Sequence, residues 1–441
     1  MGNEADWSAF EKKKKRAALL VAMLNGARDF WGLDPLFRTD FVRDFSSVTA
    51  LQQDRDYLRP QEVEDEDEVQ LFKDLSDSFV ADTTDLDENA ALQADGTLDP
   101  TFVDPHWGHT TGHLCGRLEI DALGWLHPDL RVGLFRAPGT YKIYARPNYL
   151  YDPDLPIAVN RMSLKLRMPE EVPNIYEGTA HELDLLMSEG LPPDDPEQPD
   201  GQGFFFRDAR QLLMANQMKS GLWSLAEVLF DSADAEVCRF WRQEIFETAT
   251  DMLYKSPQSN RTWDCKWYYS AGPYALGDGA MKFALEPHDN AQGEKIRIFR
   301  NPAQRHAAAF EEKRETQADI KFDLKLQIAT DDAIPAPQEG DPPKCVMAAE
   351  YTDLPWDTRH ARFKRIGTLT LKPHDVDPSE RDNLWHSMKF SAFNTYHETR
   401  PIGQLFRARR NVHKNHRIAR LSHSFGESLS ADMVVKCPFH N

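Results

Sequence analysis

HTTGHLCGRLEI, residues 109–120, changes character halfway along its length. From Cys115 onward, Leu118 and Ile120 alternate with Arg117 and Glu119, the two-residue period of a strand with one face buried. Around its first half, His106, His109, His113 and Cys115 offer enough nitrogen and sulfur for a metal ion. Their H-x2-H-x3-H-x-C spacing matches no common zinc frame. Gly108, Gly112 and Gly116 argue against one helix presenting His109 and His113 together. Three uses of the cluster stay open on spacing alone: a metal site, ordinary loop and core histidines, or one catalytic histidine.

The strand pattern recurs down the chain. LRVGLF (130–135), TYKIYARPN (140–148), AVNRMSLKLRM (158–168), GFFFRD (203–208), CKWYYS (265–270), AMKFALEP (280–287), KIRIF (295–299) and IKFDLKLQIA (320–329) are short apolar or alternating runs. Gly, Pro, Asp and Asn separate them, so many short strands at this spacing predict an antiparallel barrel or sandwich. Helical patterns are inserted at 209–230 and 235–254, and the last 60 residues read as helical and basic. The Pro-rich loops 190–203 and 333–344 exclude a helix or a central strand there. Three regions result: a helical, acidic extension over 1–95, the strand-rich region 96–330, and a wrapping loop with C-terminal helices over 331–441.

The 441 residues carry a formal net charge of −19, which repels nucleic-acid backbones and anionic membrane surfaces as main partners. No run of about 18 apolar residues is present to span a bilayer. The five cysteines are scattered, odd in number and never in a CxxC pair, which predicts neither a disulfide framework nor a zinc ribbon and suits a reducing cytoplasm. The acidic stretch 61–92 reads as a solvated helix face followed by a loop.

HTTGHLCGRLEI, then HPDLRVGLFRAPGTYKIYARPN (127–148), VNRMSLKLRM (159–168) and GFFFRDARQLL (203–213), follow an order that resembles the catalase and catalase-like haem proteins. YYSAGPYALGDGAMKFALEP (268–287), DIKFDLKLQIATDDAIP (319–335) and FNTYHETRPIGQLFRARRNVH (393–413) are similar to that superfamily too, above all to its divergent branch. The resemblance covers roughly residues 100–420. It implies an α+β fold, an antiparallel β-barrel with inserted and C-terminal helices, and haem b as the iron cofactor.

The same resemblance implies roles. His109 becomes the distal base that moves a proton between the oxygens of a bound peroxide. His106 stands where the family commonly has a propionate-binding arginine. Arg146 and Phe205 line the pocket, and Arg407 neutralises propionates. The family's axial-tyrosine position lands on Phe393, which cannot bind iron. Tyr396 is then expected as the ligand, assisted by Arg400 one helical turn along if the segment is helical. His397 or His413 as ligand, and a site that binds no haem in the usual way, stay open. The expected function is a haem-dependent enzyme acting on peroxide, an organic hydroperoxide or a small organic substrate, as peroxidase, peroxygenase, isomerase or dehydratase. The alternative is a catalase-type barrel that has lost haem and binds a ligand or partner; a haem-free metalloenzyme of the histidine cluster comes third. Residues 1–95 are expected to serve as an arm in a homo-oligomer.

Overall fold

The computed structural model describes residues 66–84, 109–110, 112–151, 158–168, 173, 175–176, 181–190, 209, 212–213, 262–288, 302–337, 342–352, 354–373, 390–410 and 412. Ten strands form one sheet: β1 (His109–Thr110), β2 (Leu114–Ile120), β3 (Gly139–Tyr151), β4 (Ala158–Arg167), β5 (Glu182–Gly190), β6 (Trp267–Ser270), β7 (Tyr274–Leu276), β8 (Gly279–Pro287), β9 (Ile320–Ile328) and β10 (Lys364–Pro373). The order β3-β2-β10-β9-β8-β6-β5-β4 returns to β3 through a ten-pair antiparallel register, so eight strands close a barrel with no free edge. The expected barrel is the architecture observed.

Alternation decides what fills it. Leu114 faces Ala145, Ala145 faces Leu164, and Leu164 faces Leu185 across successive ladders. Directly paired residues share a face, so these belong to one inward layer, while Arg117 and Glu119 of β2 are exposed outside. The interior of so narrow a barrel is packed with side chains rather than open.

LRVGLF is not a strand. It forms two 3₁₀ turns, Pro128–Leu130 and Gly133–Phe135. Gly133 adopts φ +53°, which a ladder does not permit, and the turn tucks Leu134 and Phe135 into the core. Four strands escape the sequence reading: the short β1 and β7, and β5 and β10. β5 and β10 close the barrel, and β10 carries it past residue 330 to Pro373. GFFFRD and KIRIF lie outside the described residues.

The strands give the barrel two ends. At the Gly139 end, Gly139 pairs with Ile120; at the Tyr149 end, Tyr149 pairs with His109 of β1. Residues 390–403 run along the outer wall and then across the Gly139 end. The Asp184 carboxylate accepts the Ser391 N–H (2.9 Å) and the Asp184 N–H donates to the Asn394 carbonyl (2.8 Å). The Tyr176 N–H donates to Thr395 (2.8 Å), Gly277 to Glu398 (3.1 Å) and Ala275 to Arg400 (2.8 Å). Gly403 ends this strap at φ +97°, where a Cβ would lie 2.1 Å from the Ala349 carbonyl oxygen. Gly403→Ala should therefore destabilise the chain by about 2–3 kcal/mol or more, read as a lowered urea midpoint with unchanged slope.

Among the described residues, helices α1 (Glu66–Thr84), α2 (Pro302–Thr316), α3 (Lys344–Glu350) and α4 (residues 404–410) pack outside. The Phe310 ring of α2 occupies the space where a Cβ on Gly112 would sit, 2.3 Å from that position. This close approach is the reason for glycine at the turn into β2. α1 docks on its own chain, through Phe72 and Leu75, against Ala209, Ala408 and Val412.

Candidate functional site

Buried polar groups gather at the Tyr149 end, on both faces of the wall. Outside it, Tyr144, Arg146 and Asn148 share one face of β3, and all three are buried with His113. The His113 and Tyr144 rings lie 5.7 Å apart, and the Arg146 guanidinium sits 4.6 Å from the centre of the Phe390 ring. Lys165 of the neighbouring β4 reaches the same ring at 5.3 Å, so one phenyl face serves two cations. Burial opposes the Lys165 charge, but Asp184 and Glu182 beside it hold its ammonium above the usual range. Burial also raises the Tyr144 phenol, with Arg146 pulling weakly the other way.

Inside the wall at this end, the inward registers of β4 and β5 finish on Asn160 and Glu189. Lys266, from the turn before β6, pairs with the Glu189 carboxylate, and the Asn160 amide donates to the same oxygen at 2.8 Å. All three are less than a tenth exposed, an ionic cluster in an otherwise apolar barrel. The sequence reading passed over it. The available signal was a polar residue on the inward parity of each strand, Asn160 before Met162, Leu164 and Leu166, and Glu189 after Leu183, Leu185 and Met187.

The Gly139 end is different. Leu134, Phe135, Leu183, Tyr274, Phe283 and Thr399 are among the residues around a cavity of about 20 Å³ open to the centre of a water molecule. That is room for a water, not for a porphyrin. Burial raises the Tyr274 phenol first, with Arg409 opposing, and burial raises Tyr268. Phenols held neutral in the fold bind protons that the unfolded chain gives up above pH about 10. The unfolded state then binds fewer protons, so stability should fall as pH rises beyond 10. Urea midpoints that stay level to pH 11 would contradict this.

The sequence-predicted residues divide between the ends. His109 lies at the Tyr149 end on β1, opposite Tyr149 and three positions from the partner row of Arg146. Tyr396 lies at the Gly139 end. Its ring would meet a Cβ on Gly133 at 3.1 Å, its backbone bridges Ile175, and its phenol feels Tyr141. Tyr141 and Tyr149 are eight residues apart on β3, a rise of roughly 26 Å. One iron cannot lie both under Tyr396 and beneath His109.

Nor is the segment helical. Tyr396 and Arg400 are extended (ψ 149° and 152°) and only His397–Thr399 forms a 3₁₀ turn. Pro401 follows Arg400 and disfavours the α region at that residue, so the shared helix face expected of Tyr396 and Arg400 does not exist. Arg400 instead donates to the His397 carbonyl at 2.9 Å. Burial raises the Tyr396 phenol, Tyr141 adds to it, and the opposing cation is Arg136. Tyr396 lies at the end of the barrel opposite His109, so it does not fit an iron beneath that histidine. His397 shares its location, exposed and edge-on to Tyr176, and fails for the same reason.

Phe393 is buried in the core against Phe406. Arg407 pairs with Glu68 and Glu350. His106, Phe205 and His413 lie outside the described residues. Cys115 is disulfide-bonded, unlike the expectation from cysteine spacing, while Cys265 and Cys345 are free thiols. Among the described residues no group of three His, Cys, Asp or Glu is placed to hold a metal ion, and no helix is long and apolar enough to cross a membrane. Arg146 is a buried cation on the outer face of β3, the face opposite the one that the β1–β3 register gives His109.

No family model and no curated protein matches the chain. Among solved structures it is similar to a fungal catalase, at 13% identity with a TM-score of 0.47, over 76% of this chain and 61% of that one. It is also similar to catalase A from Saccharomyces cerevisiae (11%, TM-score 0.46, 75% and 62%) and to a bacterial catalase (11%, 0.44, 75% and 58%). The chain thus spans about three fifths of the length of the catalases it matches. The closed barrel rests on its own strand pairing.

Proposed function

We propose that the chain is a haem-type redox enzyme acting on peroxide, an organic hydroperoxide or a small organic substrate at the Tyr149 end of the barrel. The supporting observation is the β1–β3 register, which pairs His109 with Tyr149 on the inner face of the wall, while buried Arg146 lies on the outer face of β3 at the same end. Haem, when bound, supplies electron-transfer chemistry that no side chain can. Arg146, held on the Phe390 ring outside the wall, would meet a haem acid that passes over the strand end. A neutral imidazole at His109 takes a proton from one peroxide oxygen and returns it to the other. The closed barrel keeps β1 and β3 at a set spacing, so neither group needs to be reorganised during turnover.

Tyr396 and His397 lie at the other end from His109, and His413 lies outside the described residues. A second reading, a barrel that has lost haem and binds another ligand, is favoured by the siting of Tyr396 at the far end. Absorption of the purified protein separates the two. An intense near-ultraviolet haem band is expected; a colourless protein that stays colourless after incubation with hemin overturns the haem reading.

A further inference from the structure

Phe310 of α2 packs against the connection between β1 and β2. A Cβ on Gly112 would fall 2.3 Å from the Phe310 ring, so the ring lies directly on that glycine's backbone. Gly112 stands three residues after His109 and two before Leu114. β2 is held on both sides, by seven-pair ladders to β3 and to β10. β1 has only two pairs, His109 with Tyr149 and Thr110 with Asn148. So short a strand is marginal by itself. Two pairs set its spacing from β3 but leave its tilt to whatever packs on the chain beyond it. That packing group is Phe310.

The ring is fixed from its other side as well. It stands 6.4 Å from the Trp263 ring at 42°, and both residues are less than a tenth exposed. Lys313, three residues along α2 and so on the same face, pairs with Asp264 at 3.3 Å. Trp263 and Asp264 belong to the 3₁₀ turn Trp263–Cys265, which leads through Lys266 into β6. α2 thus reaches across the Tyr149 end, from the β1–β2 connection to the turn before β6. A close-packed ring between two such anchors transmits its position rather than yielding.

We propose that Phe310 is a positioning residue for His109, a brace that sets the tilt of β1 by bearing on the Gly112 backbone. The catalytic consequence rests on the peroxide reading above; the brace itself does not.

Phe310→Ala and Phe310→Leu in the full chain test both parts. Hydrogen exchange is read on peptides covering 109–114 and β9, and peroxide kinetics on hemin-loaded protein. Phe310→Ala should speed exchange in 109–114 by about tenfold while β9 stays protected. It should also lower kcat by at least about tenfold, since a shift of about 1 Å at a catalytic group is costly, and leave KM and hemin affinity within about twofold. Phe310→Leu keeps an apolar side chain without the flat ring and should show the same pattern at about threefold. Unchanged exchange in 109–114, or exchange rising equally in β9, overturns the brace. Faster exchange with kcat unchanged, or hemin affinity falling in step with kcat, overturns the positioning of His109. A chain that takes no hemin sinks the peroxide reading, and the exchange result then decides the brace alone. Should Phe310→Ala not fold, Phe310→Leu decides by the same criteria.

Discussion

Glu189→Leu should destabilise the barrel by about 3–5 kcal/mol, the largest stability loss expected of any single side-chain change here. The substitution leaves the Lys266 ammonium inside the wall without its carboxylate, and Asn160 loses the acceptor of its amide. Burying two charges confers little net stability by itself, since desolvation cancels most of the attraction. The cost arises from leaving one of them alone. Lys266→Met combined with Glu189→Leu should therefore recover most of the loss, giving a coupling of several kcal/mol in a double-mutant cycle of urea midpoints. Additive single and double mutants would show that the pair is not coupled and that Lys266 finds water in the fold.

His109→Ala should lower peroxide turnover by at least about a hundredfold while haem content stays near wild type. The loss follows from the chemistry, because O–O heterolysis needs a base near neutral pH to move one proton between two oxygens, and alanine offers none. The β1–β3 pairing is made by backbone, so it survives the change. Haem lost in step with activity would point to a structural histidine.

How much of this could be read from the sequence depended on whether a feature is local. β3, β4, β8 and β9 announce themselves through alternation and β-branched or aromatic residues. β5, ELDLLMSEG, is rich in Leu, Met and Glu, which favour a helix in isolation; its ladders with β4 and β6 make it a strand. KRIGTLTLKP of β10 does alternate, but it follows the Pro-rich loop and enters the barrel only through β2 and β9. Motif order placed His109 and Arg146 toward the same end of the barrel, but not on the same face of its wall. The misplacement of Tyr396 was not legible. Spacing along a presumed helix paired it with Arg400, whereas Pro401 makes that stretch extended and residues 390–403 carry it to the opposite end. Which end of a barrel a late segment closes is a property of topology, absent from any short window of sequence. The Asn160–Glu189–Lys266 cluster was hidden likewise, since inward parity acquires meaning only once the strand pairs are known.

Hemin titration of Arg146→Leu and Tyr396→Phe side by side asks most directly which end of the barrel holds the site. Arg146→Leu removes a buried cation at the Tyr149 end and should weaken hemin binding by at least about tenfold. Tyr396→Phe removes one oxygen at the Gly139 end and should leave both affinity and absorption spectrum as in wild type. The reverse result, with Tyr396→Phe losing the spectrum and Arg146→Leu keeping it, would contradict a site at the Tyr149 end.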